Sequence, residues 1–407
     1  IPFAVGLVGR DGRDLPLRLT GEAPTSDTTR VLELTSARHR FLFADIETIP
    51  VPSLLRGFSA PVSVEFDYDD ASLALLASHD SDAVNRWDAA QRLFVNAILR
   101  VAESHRRGLA LELPPPLPQI VARLLADDDS DAALRALALK LPDAAYVASL
   151  EAVTEPHGIA AAFAYVERAL AGVLRREFEA THARTRATAP YSRDAGHGGR
   201  RSLNNRCLRY LGALDDAAAQ SLAVAHYDAA DNMTDAIGAL SALRDSSSAA
   251  HDALFARFET RWRDEPLALD KWFEMRAQST RADTLPVVQA LIRHPRFNAH
   301  NPNRVRSLVG AYALRNFARF HGDDGAGYAF VADQAAALDA INPQLAAALA
   351  CAFNPWTRYA EPYRARMMAQ LERLAARGTL SPDLGEIVGR ALDCAVDRVP
   401  PTSRSPA

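Results

Sequence analysis

The apolar residues of this 407-residue chain change their period once, near residue 70, and that change constrains the fold more than any other feature. Before it they fall in short alternating or apolar runs, Phe3 to Val8, Leu15 to Leu19, Val31 to Leu34, Phe41 to Phe43 and Val62 to Phe66. Turn signals at Arg10-Asp11-Gly12 and in the Pro24 to Asp27 cluster separate the runs. A period of two puts alternate side chains on one face of a sheet, so this part predicts a small antiparallel β-sandwich. The strand count is low for a sandwich, and one sheet edge is expected to be missing or exposed. Ile1 to Val8 reads as a strand with no initiator methionine before it, so the chain is expected to begin inside a larger protein.

From about residue 70 the period is 3.6, as at Trp87, Leu93, Phe94, Ile98 and Val101, and helix is expected to follow helix. Prolines interrupt the pattern at Pro114-Pro115-Pro116, Pro142, Pro156, Pro266, Pro295, Pro302, Pro343, Pro355 and Pro382. They leave segments of about 10–25 residues, the ordinary helix length. At roughly 40 residues per helical hairpin, the remainder accommodates about eight stacked hairpins. No strict repeat is visible. The expected fold class is therefore mostly α, a small antiparallel β-sandwich followed by a large, irregular α-helical superhelical domain of the HEAT or armadillo kind with a concave inner face. The boundaries implied are residues 1–68 for the sandwich, 69–398 for the helical domain and 399–407 for a disordered tail.

Composition narrows the function classes. Hydrophobic residues at 48% and charged residues at 24% are those of a folded globular protein. With 46 basic against 50 acidic residues the chain lacks the bulk positive field that gathers nucleic acid or anionic membrane, so neither is expected as a partner. No run of about 18 uncharged apolar residues is present. The three cysteines, Cys207, Cys351 and Cys394, form no Cys-x-x-Cys pair and read as reduced thiols of a cytoplasmic protein.

Familiar catalytic signatures are missing. A zinc peptidase needs His-Glu-x-x-His, two ligands one helical turn apart with the base between them, yet none of the 11 histidines precedes a glutamate and no two are four apart. No Gly-x-Ser-x-Gly elbow occurs, and neither Lys140 nor Lys271 follows a glycine as a phosphate loop requires. Gly196-His197-Gly198-Gly199 lacks a third spaced glycine and a preceding strand, and reads as a flexible connection between helices. His321 to Gly327 reads as a helix-ending turn and Asp127 to Asp131 as a solvated turn with a helix N-cap. Trp87, Trp262, Trp272 and Trp356 recur at helical positions and are expected in the core.

One segment breaks a local rule. Asn301-Pro302-Asn303 is a turn with a good N-cap, and it sets Arg304 and Arg306 in the first helical turn, where the macrodipole disfavours cations by about 0.3–1 kcal/mol each when exposed. Guanidinium groups beside free backbone N–H groups suit a carboxylate, so an arginine here either faces an anionic ligand end or pairs with an acid of a neighbouring helix. Both readings stay open on this segment alone.

Several longer stretches carry a resemblance. They are Pro52-Ser53-Leu54-Leu55-Arg56-Gly57-Phe58-Ser59-Ala60-Pro61-Val62, Arg86-Trp87-Asp88-Ala89-Ala90-Gln91, Asp231-Asn232-Met233-Thr234-Asp235-Ala236, Asp270-Lys271-Trp272-Phe273 and Asn301-Pro302-Asn303-Arg304-Val305-Arg306-Ser307-Leu308. Together they resemble the carboxyl-terminal region of the bacterial aminopeptidase N family, zinc-dependent alanyl aminopeptidases. That family joins an amino-terminal β domain, a thermolysin-like catalytic domain, a β-sandwich and a helical superhelical domain, and this chain resembles the last two.

The resemblance implies that metal ligands, general base and the glutamates that recognise the substrate's amino terminus lie outside this sequence. It implies no cofactor in this chain and zinc in the parent enzyme, with the parent's catalytic domain and peptide substrates as partners. In the family the helical domain closes over the catalytic cleft, and an arginine of the Asn-Pro-Asn-Arg-x-Arg segment points to peptide; here that residue is Arg306. Arg304 and Asn303 of the same segment complete the candidate cavity set. A second cavity arginine is replaced, since Asn342-Pro343-Gln344 leads into Leu345-Ala346-Ala347-Ala348. The expected role is to cap and restrict the cavity of an enzyme that removes amino-terminal residues from peptides, with the chain inactive alone. A helical-repeat interaction scaffold is the alternative.

Overall fold

Strand β1 (Pro2–Val8) is the middle of a three-stranded antiparallel sheet ordered β3-β1-β5, with β3 at Thr29–Glu33 and β5 at Val51–Leu54. Two short strands, β2 (Arg18–Leu19) and β4 (Phe43–Ala44), pair in a second sheet. Alternation sorts the side chains of β1: Val5 and Leu7 form a core with Leu17 and Leu32, and Phe3, Phe41 and Phe43 pack around it. Ala4, Gly6 and Val8 point the other way and are buried too, which is why β1 reads as a continuous apolar run. The computed structural model describes residues 1–187 and 190–396, with side chains to 393, so the tail expected at 399–407 and the Cys394 thiol lie outside what is described.

One expected strand is displaced. Val62 to Phe66 pairs with nothing in a ladder, whereas Val51–Leu54, which has no clean alternation, is β5. Pro52 removes a donor from the outer side of β5, and the Tyr68 hydroxyl donates to the Pro52 carbonyl at 2.7 Å. The edge that Val62 to Phe66 would have joined is thereby closed.

Helices begin at Asp70–His79 (α1), Ala83–Arg106 (α2), Pro116–Ala126 (α3) and Ala132–Ala138 (α4), and continue to Pro382–Val396. Aspartates 69, 82, 131, 143 and 216 and asparagines 232, 301 and 342 cap helix starts, each side-chain oxygen accepting backbone N–H groups of the first turn. Pro116, Pro156, Pro266, Pro302, Pro343 and Pro382 are first residues of helices, where a missing N–H costs nothing. Gly196-His197-Gly198-Gly199 corrects an expectation: it is the first turn of the Ala195–Gly212 helix, started by the Asp194 carboxylate accepting from the Gly196 and His197 amides. A Cβ on Gly199 would stand 3.0 Å from the Ala133 nitrogen, so close helix packing and not flexibility explains the glycine. Trp272 and Trp356 are buried as expected, but Trp87 is 40% exposed.

By contacts the chain divides into two units, Ile1–Pro142 with Tyr165–Leu211, and Asp143–Ala164 with the described residues from Gly212 on. In the first, the sheet and the opening helices share a buried charge. Arg56, 4% exposed, follows a left-handed Leu55 and precedes left-handed Gly57 and Phe58. Its guanidinium donates to Ser53 at 2.8 Å, to both Asp14 oxygens at 2.8 and 3.0 Å, to Asp80 at 3.0 Å and to the Thr28 carbonyl and Thr29 hydroxyl at 3.1 and 3.0 Å. Gly6 makes room, since a Cβ there would lie 1.9 Å from Arg56 Cζ. Burial alone pushes the Asp14 carboxyl up, but hydrogen bonds from Arg56 and Ser81 hold its pKa below the usual carboxylate value. Burial prevails at Asp80, which is raised.

Removing one member of a buried ion cluster leaves the others desolvated and unpaired. Arg56→Ala is expected to cost about 3–5 kcal/mol in urea unfolding, and Arg56→Lys to recover little of it because an ammonium cannot donate to both Asp14 oxygens and four other acceptors. A loss below about 1 kcal/mol would count against this cluster as the tie between sheet and helices.

Candidate functional site

The Asn301 to Arg315 segment begins as an ordinary capped helix. The Asn301 side chain accepts from the Asn303 and Arg304 amides at 3.0 and 3.3 Å, and Pro302 occupies the first position. After four residues, Pro302–Val305, the helix widens into a π-helical turn, Arg306–Gly310, before resuming at Ala311–Arg315. Such turns are rare inside helices and concentrate at functional sites.

Two residues along a helix lie about 200° apart, so Arg304 and Arg306 cannot share a side. Arg304 goes in and is 5% exposed. Its Nε donates to Asp270 Oδ1 at 3.2 Å, its guanidinium lies 4.9 Å from the Phe273 ring centre, and Nη2 reaches the Pro266 carbonyl at 3.5 Å. Asp270 and Phe273 stand three apart on the Pro266–Ala277 helix, so a single face offers the cation a charge and a ring. Burial lowers the Arg304 pKa, against the pull of Asp270, and Nη1 is buried with no partner among the described residues. The Ser307 hydroxyl is 2.9 Å from the Arg304 carbonyl and 3.3 Å from Asp270 Oδ1, tying the first residues of the π turn to the same pair.

Arg306 and Asn303 go out. Both are exposed, and no ion pair or hydrogen bond engages the Arg306 guanidinium among the described residues. The sequence reading left the pair of arginines with two possible fates, and the structure divides them: Arg304 takes the ion pair with a neighbouring helix, and Arg306 is the exposed cation. At the other expected arginine position, Leu345, Ala346 and Ala347 are all buried. Sequence reasoning missed the π turn and the Phe273 contact. The second had a signal in the Asp270–Phe273 spacing.

Three other titratable groups, His321, His251 and Cys207, are buried. His321 accepts or donates at 2.7 Å with the Tyr328 hydroxyl, and burial pushes its pKa down to about 3. His251 is 3% exposed, bonded through Nδ1 to the Leu243 carbonyl at 2.8 Å, and burial lowers its pKa. Cys207 and Cys351 are free thiols, and burial pushes Cys207 up to about 12, which makes it a poor nucleophile. Among the described residues no three His, Cys, Asp or Glu side chains gather as metal ligands, so these residues do not fit zinc. No helix among the described residues is long and apolar enough to cross a membrane.

A family model described as a domain of unknown function (DUF3458) with an Ig-like fold matches residues 1–67, and one described as a domain of unknown function (DUF3458_C) with ARM repeats matches residues 70–393. The chain belongs to this family. It is 36% identical over 392 residues to aminopeptidase N of Escherichia coli (strain K12), 37% over 391 residues to that of Caulobacter vibrioides, and 35% over 394 residues to that of Haemophilus influenzae. Each match covers 96% of this chain and 44% of the relative, so the chain spans less than half the length of these relatives and corresponds to their carboxyl-terminal part. The solved structure of Legionella pneumophila aminopeptidase A in complex with aspartic acid superposes with a TM-score of 0.82 at 28% identity, over 97% of this chain and 45% of that one. The expected resemblance and the expected class, a small antiparallel β region followed by helical repeats, both hold.

The two arginines should separate in stability measurements. Asp270→Asn is expected to cost about 3 kcal/mol by leaving the buried Arg304 charge unpaired, whereas Arg306→Ala should change the unfolding free energy by less than about 0.5 kcal/mol. Equal effects in denaturant unfolding would contradict this division of roles.

Proposed function

We propose that this chain is the non-catalytic part of a zinc-dependent aminopeptidase that removes amino-terminal residues from peptides, and that it caps and restricts the substrate cavity. The observation that carries the reading is the exposed, unpaired guanidinium of Arg306 on a π-helical turn whose inner side is anchored by Arg304, Asp270 and Phe273. A fixed cation of this kind holds an anionic group at a set distance from a reactive centre, a carboxylate of a bound peptide being the natural partner. Asn303, exposed one turn earlier, sits beside it as a polar contact, while Arg304 serves as the anchor of the turn.

The partner is the catalytic domain of the longer parent enzyme, and zinc is assigned there, a reading supported by the lack of a donor set among the described residues of this chain. Free Cys207 and Cys351 support a reducing compartment, the cytoplasm. This chain's residues bind and orient; none is assigned a bond-breaking step.

Two measurements test the reading. The purified chain should bind no stoichiometric zinc and leave an alanyl amide reporter intact, and hydrolysis at an enzyme-like rate would overturn the assignment. In the full-length enzyme, Arg306→Ala should raise KM for peptides by about tenfold or more, the worth of a charge-assisted hydrogen bond, and leave turnover of the small reporter nearly unchanged. Equal losses on both substrates would contradict a role in holding the distant end of a peptide.

A further inference from the structure

Two neighbouring helices of the second unit leave a set of hydrogen-bond donors without an acceptor. On the Ala249–Trp262 helix, Leu254, Phe255 and Phe258 are buried, while Ala256 with Thr260 and Arg257 with Arg261, each pair one turn apart, form an exposed face. Tyr227, near the end of the Ala217–Ala229 helix, lies against that face, its ring centre 5.1 Å from the Arg257 guanidinium and 6.4 Å from the Phe258 ring. Tyr227, Ala256, Arg257, Thr260 and Arg261 line an open groove of about 440 Å³.

The two arginines of the groove differ. Arg257 pairs with Asp228. Arg261 pairs with no carboxylate among the described residues, and its guanidinium lies 5.1 Å from the centre of the Trp262 ring. Tyr227 is only 4% exposed, and its hydroxyl is buried with no hydrogen-bond partner among the described residues. The group beside that hydroxyl is Arg261, which can only donate, so the phenolic proton has no acceptor. Trp262 Nε1 is a second buried donor that lacks one. Folded proteins seldom keep such donors unsatisfied, because each has given up its bonds to water. The negative end of the helix macrodipole accounts for an arginine in the last turn, but it accounts for neither the hydroxyl nor the indole. What these groups lack in common is an acceptor, and Arg261 favours one that carries negative charge.

We propose that Arg261 and the hydroxyls of Tyr227 and Thr260 bind an oxyanion, the carboxylate or phosphate group of a small organic molecule, in the groove between these two helices. Arg261 supplies the charge, in a planar fork that matches either group. The Tyr227 hydroxyl donates from a buried position, where a hydrogen bond to an anion is stronger than in water. Burial raises its pKa against the pull of Arg261 and Arg257, so the phenol keeps the proton it donates at neutral pH. A bare ion would fill little of the groove, and Ala256 and the apolar stems of the arginines offer the remainder to the body of the molecule. The site shares no residue with the Asn301 to Arg315 segment and does not depend on the role given to Arg306.

Titration calorimetry of the 407-residue chain with inorganic phosphate and, separately, with N-acetyl-leucine tests the proposal, followed in parallel by the indole N–H resonance of Trp262. At least one probe should bind saturably and shift that resonance. Tighter binding of phosphate marks the ligand as a phosphate ester, and tighter binding of N-acetyl-leucine marks it as a carboxylate. Arg261→Gln should weaken binding of the preferred probe about tenfold or more, the loss of a charge-assisted contact, whereas Arg306→Ala should leave it unchanged. Tyr227→Phe should weaken binding about threefold or more and yet raise the melting temperature of the unliganded chain, since it removes an unsatisfied hydroxyl and keeps the ring. A merely structural tyrosine would not show that opposition. The proposal is overturned if neither probe binds, if Arg261→Gln leaves binding intact, if Arg306→Ala weakens it as much as Arg261→Gln does, or if Tyr227→Phe lowers the melting temperature with binding unaltered.

Discussion

The buried guanidinium of Arg56 is the interaction on which the first unit depends. It satisfies carboxylates from two directions, Asp14 after β1 and Asp80 between α1 and α2, and each of those acids would be costly to bury without it. The neighbouring sequence bends to this end. Gly6 lacks the Cβ that would strike the guanidinium, and Leu55, Gly57 and Phe58 adopt left-handed backbone that turns Arg56 under the sheet. Ser53 serves both the arginine and Asn85 of α2. A sheet of three strands with few residues to bury gains a charged rivet into the helices that a hydrophobic contact of the same size would not position as closely.

The second unit uses an arginine in the same manner for a different result. Arg304 binds Asp270 and Phe273, and thereby fixes a helix start whose next outward residue is Arg306. The division follows from helix geometry. Of two cations two residues apart, one can be satisfied inside only if the other is left outside. A burial cost spent at Arg304 holds the start of this helix in place and leaves Arg306 as an exposed cation with a fixed origin. Buried, neutral His251 and His321 and the high-pKa Cys207 thiol show the contrary case, reactive residue types made inert by the cores around them.

Much of this was legible in the sequence. The switch of period near residue 70, the proline and Asx helix starts and the Phe3 to Val8 strand all depend on local rules that the structure obeys. What failed depended on neighbours. Val62 to Phe66 alternates like a strand, but the edge it needed is closed by Pro52 and Tyr68. Gly196 to Gly199 looks like a hinge until Ala133 of a distant helix is brought against Gly199. Trp87 has helical spacing yet lies on an outward face. On its own the Asn301 to Arg306 segment left open whether an arginine there meets a ligand or a neighbouring acid, because the acid that pairs with Arg304 is Asp270, more than 30 residues away. The π turn was invisible, since one extra residue in a turn leaves the apolar pattern nearly unaltered. No familiar catalytic signature was legible in the sequence, and among the described residues no three His, Cys, Asp or Glu side chains gather as metal ligands.

The central claim is that the sheet and the first helices form one cooperative body through Arg56. Native-state hydrogen exchange across a urea series measures this directly. The account predicts that the amides of Val5 and Leu7 in β1 and of Phe94 and Ile98 in α2 converge on one opening free energy as urea rises. If the β1 amides instead opened through a separate transition lying about 2 kcal/mol or more below that of α2, the sheet would be an independent module and the account would be contradicted.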